Sequence, residues 1–382
     1  MGSAYPYDTE AGKRWEARYR RPDGKTARKA GFMRKRDAED FITTVETSKL
    51  QGSYLSPSDA RITIGDLGIQ WLVSHQTAVK PSTFHSDESA WRVHVVPAWA
   101  SRKIGSIRHT EVAAWVAALS REKSATTVKR CYGVLAAILD GAVRDRRIQS
   151  NPARDVKTPR KKLKPRAYLS HVQVEQLAEA SSYPDFVRFL AYTGLRWGEA
   201  IGLQVRHVDL KKRRLNIENN AVYVNGHVVV GTPKVHERRS VYYPAFLEDA
   251  LARATAGKLA SELVWPSHTG GYLHPGNAST GWFGVAGTRS RAADAISIQQ
   301  ARERGESVPT EMPRVTPHDL RHTAASLAIS ANANVKAVQR MLGHASAAMT
   351  LDTYADLFED DLADVAAALD AQRFAALAVT QR

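Results

Sequence analysis

The chain has 382 residues, enough for two or three domains at roughly 100–200 residues each. Lys and Arg number 54 against 39 Asp and Glu, a net charge of +15, which excludes an acidic solvating chain and points to a polyanionic partner. With 43% hydrophobic residues and no apolar run of about 18 residues, it reads as neither disordered nor membrane-built, and its single cysteine, Cys131, excludes an intramolecular disulfide and a multi-cysteine zinc site.

Met1 to Glu10 lacks the apolar stretch of a signal peptide, so a reducing cytoplasm is the expected compartment. The charge is uneven along the chain. Residues 1–60 carry a net +3, residues 61–164 a net +11 and residues 165–382 a net +1. The excess therefore sits mainly in the middle third.

Residues 1–58 are expected to form a first small module. Trp15, Ala17 and Tyr19 alternate with Glu16, Arg18 and Arg20, which is the period of a strand. Pro22-Asp23-Gly24-Lys25 reads as a turn, and a second short strand run reaches Gly31-Phe32. Asp37 is a candidate N-cap for a helix with Ala38, Phe41, Ile42 and Val45 on one face. Lys13 to Arg36 holds 11 basic and 2 acidic residues. Such a strand-strand-helix module can lay a basic sheet into a DNA groove, with Arg18, Arg20, Lys25 and Arg28 as candidate contacts. The plainer alternative is a charged hairpin that only solubilises. Gln51 to Ser58 reads as a linker.

Residues 62–157 are expected to form a helical bundle. Thr63 can cap a helix carrying Ile64, Leu67 and Trp71, and Pro81-Ser82 starts another that runs to about Val96. Val112, Trp115, Val116 and Leu119 form a third stripe. Val128, Cys131, Leu135, Ile138 and Ala142 form a fourth after Ser124. Cys131 lies on that stripe and reads as core. Lys129 and Arg130 are candidate DNA contacts. Residues 158–168 read as an extended basic linker, in which Lys161, Lys162 and Lys164 can track a phosphate backbone.

Residues 169–382 carry the motifs of chemistry. Thr193-Gly194-Leu195-Arg196-Trp197-Gly198-Glu199 makes a turn into a helix, with Arg196 and Glu199 three apart on one face. Strand-like runs at Leu215, Ile217 and Val222 to Val224 are followed by an Asn225-Gly226 turn and a returning Val228 to Val230. Lys234 follows that hairpin. Thr316-Pro317 starts a helix on which His318 and Arg321 are three apart. Val335, Val338 and Leu342 line a short helix closed by Gly343, with His344 in the turn after it. Ser346 can cap the next helix, which carries Tyr354.

Together, two Arg, one Lys, two His and one Tyr suffice for phosphoryl transfer without metal. Guanidiniums clamp the extra charge of a phosphodiester transition state, and a histidine donates a further hydrogen bond. A tyrosine can be the covalent nucleophile. A lysine can protonate the leaving oxygen. No carboxylate pair or Asp/His cluster suggests a two-metal nuclease, and no phosphate-binding GxxxxGK[ST] loop is present.

This ordered set resembles the tyrosine recombinases of the phage integrase family. Thr193 to Glu199 resembles the segment with the family's first catalytic Arg. His318-Asp319-Leu320-Arg321-His322 resembles its second box, and Leu342-Gly343-His344 with Tyr354 resembles the close of its site. Lys234 falls where the family has its hairpin lysine, although Val235-His236 follows it where a Thr is common.

The resemblance implies a multi-domain, mainly α chain: a β-sheet-plus-helix module for arm-type sites, a SAM-like helical core-binding bundle and a mixed α+β catalytic domain. It implies Tyr354 as nucleophile, Arg196, Lys234, His318, Arg321 and His344 as catalytic partners, and Glu199 in support. It further implies no cofactor or metal, double-stranded DNA as partner, a homotetramer in synapsis and a location at the nucleoid of a bacterial host. A DNA-bending host factor and a directionality factor are further expected partners. The acidic Glu359-Asp360-Asp361 and the stripe Leu362, Val365, Leu369 suggest a tail helix that docks on a neighbouring protomer. The expected activity is integration, and with a helper excision, of phage or mobile-element DNA. A dimer-resolving recombinase, a non-catalytic DNA-binding regulator of the same fold and a tyrosine-type topoisomerase remain as alternatives.

Overall fold

The structure is a computed structural model that describes all residues except 1, 52–53, 57, 162–165, 233–238, 275, 277–279, 358–365, 368, 375–376 and 378–382. The chain divides into two compact units, Met1–Leu163 and Lys164–Arg382. The division falls inside the basic 158–168 stretch. Most of the described residues are helical, with three small sheets. No helix among them is long and apolar enough to cross a membrane.

The first unit opens with strands β1 (Ser3–Thr9), β2 (Gly12–Arg20) and β3 (Thr26–Phe32), followed by helix α1 (Lys35–Leu50). The sheet has three antiparallel strands in the order β1-β2-β3, so the expected pair gains an N-terminal edge strand. Pro6 in β1 lacks an N–H, which an edge strand tolerates and a central strand does not. Asp37 is not the cap. The helix starts at Lys35, and Asp37 lies in its first turn, where its charge favours the helix dipole. Ala17, Ala38 and Ile42 form one small core, and Tyr19, Ala27 and Val45 another.

The same unit continues with α2 (Ile64–Ala78), α3 (Pro81–Ala90), a π-helical turn at Trp91–Val95, α4 (Val96–Trp99), α5 (His109–Glu122) and α6 (Ala125–Arg144). Thr63 caps α2 in a reciprocal box with Asp66, and Ser124 caps α6. The helix from Pro81, expected to run to about Val96, continues to Trp99, and its register loosens by one residue at the π turn. Cys131 is fully buried among Val128, Leu135 and Ile138, as its stripe predicts, and burial raises its thiol pKa.

The second unit holds α7 (His171–Glu179), α8 (Pro184–Thr193), α9 (Trp197–Ile201), β4 (Val208–Asp209), β5 (Arg214–Ile217), β6 (Asn220–Val224), β7 (His227–Gly231), β8 (Arg239–Tyr242) and α10 (Glu248–Thr255). Helices α11 (Trp282–Arg304), α12 (Pro317–Ser330), α13 (Val335–Leu342) and α14 (Ala347–Tyr354) complete it. Strands β4, β5 and β8 pair antiparallel, and β6 and β7 form a separate hairpin. Asn225 and Gly226 take φ of 50° and 78°, the two positive values that a tight two-residue hairpin turn requires. The core runs through α7, α8, β5 and β8, with Phe186, Phe189, Leu190, Leu215 and Val241 at its centre. One side of α8 therefore packs into this core while its last residues lead to the site.

In the first unit, α2 crosses the π turn without room to spare. A β-carbon on Gly68 would lie 2.0 Å from the Trp91 ring. Gly68→Ala gains about 1 kcal/mol of helix propensity but must displace a buried indole. Overpacking of this kind costs typically about 1–3 kcal/mol, more for so short a contact. The variant is expected to lower the urea midpoint, with a shifted tryptophan emission. A midpoint at or above the parent's would show that the bundle yields freely there.

Candidate active site

The site is assembled from helix ends. Helix α8 stops at Gly194, which takes the left-handed conformation (φ 64°) and releases the chain toward Arg196. Arg196 is the N-cap residue of the short α9 rather than a member of its first turn. Its backbone N–H donates to Glu199 Oε2 at 2.9 Å, and its Nη1 donates to Glu199 Oε1 at 2.9 Å. Its Nη2 donates to the carbonyl of Gly343 at 3.1 Å.

Glu199 has no exposed side chain and is shared by two guanidiniums. Arg239 on β8 donates through Nη1 to Oε1 at 2.9 Å and through Nη2 to Oε2 at 2.7 Å. Burial alone would raise the Glu199 pKa. The hydrogen bonds and charge of Arg239, with those of Arg196, outweigh it and hold the carboxyl at about 2. Glu199 is thus ionised across the neutral range.

Thr316 opens α12, its N–H and hydroxyl both donating to Asp319 at 2.7 Å. Arg321, one turn further on, is 4% exposed. Its Nη1 donates to the Gly194 carbonyl and its Nη2 to the Leu342 carbonyl, each at 2.6 Å. Burial, then the charge of Arg196, lower its pKa to about 9, which leaves it charged at neutral pH. His318 and Arg321 do not present equally: His318 is exposed at the start of α12 while Arg321 points inward. The His318 ring meets that of His322 edge-on, with centroids 5.0 Å apart.

Helix α13 ends at Gly343, again left-handed at φ 64°. His344 follows, its Nδ1 3.0 Å from the Thr350 hydroxyl. Ser346 caps α14 through the Met349 N–H. Tyr354 is the last residue of α14 and is fully buried among Ala325, Ile329, Val338 and Leu342. Its hydroxyl lies 3.0 Å from His322 Nδ1, and its ring lies parallel to that of His344 with centroids 6.3 Å apart. The Arg166 guanidinium lies 6.0 Å from the centre of its ring. Burial pushes the phenol up to about 12 against the opposing charge of Arg321.

The structure therefore brings together Arg196, Glu199, Arg321, His344 and Tyr354, with His318 at the rim. Lys234 lies in 233–238, outside the described residues. Two partners escape the motif reading. His322, the closing residue of the second box but given no role there, holds the tyrosine hydroxyl, and nothing local marks a contact 32 residues away. Arg239 did leave a signal. It is two residues before the buried Val241 on β8, so it carries a charge on the inward face of a strand. No group of three or more His, Cys, Asp or Glu among the described residues is placed to hold a metal ion.

The phage integrase family matches residues 167–360, and the phage integrase central domain matches residues 66–159. The chain belongs to the phage integrase family. It is a site-specific tyrosine recombinase of that family. The prophage phiRv2 integrase of Mycobacterium tuberculosis is 26% identical over 350 residues, covering 88% of each chain. Among solved structures, the Tn1549 transposon integrase in complex with a circular intermediate DNA shares the fold with a TM-score of 0.59 and 20% identity, over 77% of this chain and 95% of that one. A lambda integrase tetramer bound to a Holliday junction shares it with a TM-score of 0.52 and 18% identity, over 89% and 95%.

The residues of this integrase expected to touch DNA are dispersed. Arg18 and Arg28 are cross-strand partners on the exposed face of the first sheet, and Arg20 and Lys25 are exposed beside them. Arg18 stacks 4.8 Å over the Tyr5 ring and is braced by Glu16 at 2.6 Å. Lys129 is exposed, whereas Arg130 is engaged by Asp87 at 2.6 Å, a carboxylate that also binds His75 at 2.8 Å. Arg130 thus ties α6 to α3 while its side chain stays 38% exposed. Lys161 is exposed, and Lys162 and Lys164 lie outside the described residues, as do Glu359, Asp360, Asp361, Leu362 and Val365 of the tail. Leu369 is exposed.

Burial holds both His322 and His344 down to about 4, helped by His318 in the first case and by Arg321 and Arg196 in the second. An unfolded histidine titrates near 6.5. Below that value the unfolded chain binds more protons than the folded one, so stability present above pH 6.5 is lost as the pH falls toward 4. The melting temperature is expected to drop over this window, and His322→Gln with His344→Gln to flatten the drop. An equally steep drop in the double variant would assign it to other groups.

Proposed function

We propose that this recombinase integrates, and with a helper excises, the DNA of a phage or mobile element, using Tyr354 as nucleophile. The observation that carries the reading is the convergence of Arg196, Arg321, His344 and Tyr354, drawn from four separated segments. The Tyr354 oxygen attacks a DNA phosphorus, the bond to the 5′ oxygen breaks, and a 3′-phosphotyrosyl link is formed. Because the link conserves the phosphodiester's energy, rejoining needs neither ATP nor a metal.

Arg196 and Arg321 stabilise the charge that develops on the non-bridging oxygens. Each keeps guanidinium hydrogens beyond those given to carbonyls and Glu199. His344 and His318 donate further hydrogen bonds. Lys234 protonates the leaving 5′ oxygen. At a pKa of about 12, Tyr354 rests as a protonated phenol. Attack requires its hydroxyl to leave His322, give up its proton to solvent and meet the phosphate beside Arg321, whose charge favours the phenolate.

The N-terminal sheet favours an integrase over a dimer-resolving recombinase. Its exposed face, with Arg18, Arg20 and Arg28, suits arm-type DNA, and the helical bundle suits core-type DNA. The fold shared with the junction-bound lambda tetramer supports four protomers exchanging strands in two pairs. A DNA-bending host protein and a directionality factor would complete such a complex.

A core site nicked beside the cleavage point lets a short fragment diffuse away and traps the covalent adduct. The parent chain is expected to form that adduct on denaturing gels and Tyr354→Phe to form none. Arg196→Ala is expected to bind the site but cleave roughly 10²–10³-fold more slowly, the usual scale for one lost transition-state donor. An adduct in Tyr354→Phe would take the tyrosine out of this role. No adduct on any attachment site would favour a non-catalytic regulator.

A further inference from the structure

The Glu199 carboxylate poses an electrostatic problem. It is buried and ionised, and it lies against the guanidinium read above as a phosphate ligand. A carboxylate paired with Arg196 alone would cancel that charge and, through a two-pronged bond, draw the guanidinium away from DNA. The structure shows what prevents this. Arg239 takes the two-pronged geometry, one Nη to each oxygen, at 2.9 and 2.7 Å. Arg196 gives the carboxylate only one side-chain bond and sends its Nη2 to Gly343 instead.

Arg239 also acts from the other side. Its stem lies on the Gly343 α-carbon so closely that a β-carbon there would fall 2.8 Å from Cδ and Nε. The Gly343 carbonyl is the second anchor of Arg196. Arg239 therefore lies against both residues that aim Arg196. Its own side chain is 13% exposed, and its Nε is buried without a hydrogen-bond partner. It is placed to hold Glu199, with little edge left for DNA.

We propose that Arg239 is a positioning residue for strand cleavage, which occupies Glu199 so that Arg196 keeps its charge and orientation for the scissile phosphate. The proposal rests on the reading of Arg196 as a phosphate ligand. One carboxylate between two guanidiniums leaves one net positive charge, which adds to that of Arg321 at the phosphate.

The test is single-turnover cleavage of the nicked core site by the full-length chain, alongside DNA binding and melting temperature. Arg239→Met is expected to bind the site like the parent and to cleave roughly 10²-fold more slowly, as a displaced catalytic group does. Adding Glu199→Gln removes the charge that Arg239 neutralises, so the double variant is expected to cleave faster than Arg239→Met alone. A neutral methylphosphonate at the scissile position develops one negative charge fewer in the transition state, so less is left for Arg196 to balance. On it, the gap between Arg239→Met and the parent is expected to narrow.

Parent-like cleavage by Arg239→Met, no gain from Glu199→Gln, or an unchanged gap on methylphosphonate would each overturn the proposal. The last outcome, with a lowered melting temperature, would leave Arg239 only a structural brace. Arg196→Ala run in parallel separates the two readings. If it too cleaves normally, the assignment of Arg196 has failed. If it is inactive while Arg239→Met is not, only the role of Arg239 has failed.

Discussion

The second unit depends on one buried cation. Arg321 reaches from α12 to the carbonyls of Gly194 and Leu342, groups that the ends of α8 and α13 leave without helical partners. Arg196 follows the first carbonyl by two residues and His344 follows the second by two. A single guanidinium therefore fixes the spacing of the elements that carry both, while the rest of α12 presents His318 and His322. Burying a charge is costly, and the lowering of its pKa to about 9 reflects that cost. Paired as it is, the cation survives at neutral pH. Each buried carbonyl left without it would cost on the order of 1–3 kcal/mol.

Charge in this site is divided by residue type. His322 and His344, held near 4, are neutral at pH 7, and Tyr354, held near 12, is neutral as well. The fixed positive charge among the described residues belongs to guanidiniums, which do not titrate there, and Glu199 carries a fixed negative charge between two of them. Such a site presents a constant field to a phosphate across the physiological range. Its neutral groups remain available as hydrogen-bond donors and acceptors.

Much of this was legible from residue order. The helices announced themselves through apolar periodicity and side-chain caps: Thr63, Ser124 and Ser346 all sit at helix starts, and Asn225-Gly226 turns its hairpin. The edge strand β1 did not, because Ser3 to Thr9 is mostly exposed and lacks a buried alternation. Asp37 misled because an acid in the first turn and an acid at the cap serve overlapping electrostatic ends. The site was legible where a motif is contiguous, as at Arg196 to Glu199 and His318 to Arg321. It was opaque where partners meet only in three dimensions. Arg239 reaches Glu199 across 40 residues, His322 reaches Tyr354 across 32, and Arg130 reaches Asp87 across 43.

The contact between the Arg239 stem and Gly343 also constrains how such a chain can change over generations. A side chain at 343 meets the arginine and a left-handed backbone at once. A shorter residue at 239 would make the room but strand the carboxylate. The pair is thus locked by mutual obstruction, and either position can be explored only after Glu199 has been surrendered. Three residues far apart in the chain would then be expected to vary together or not at all.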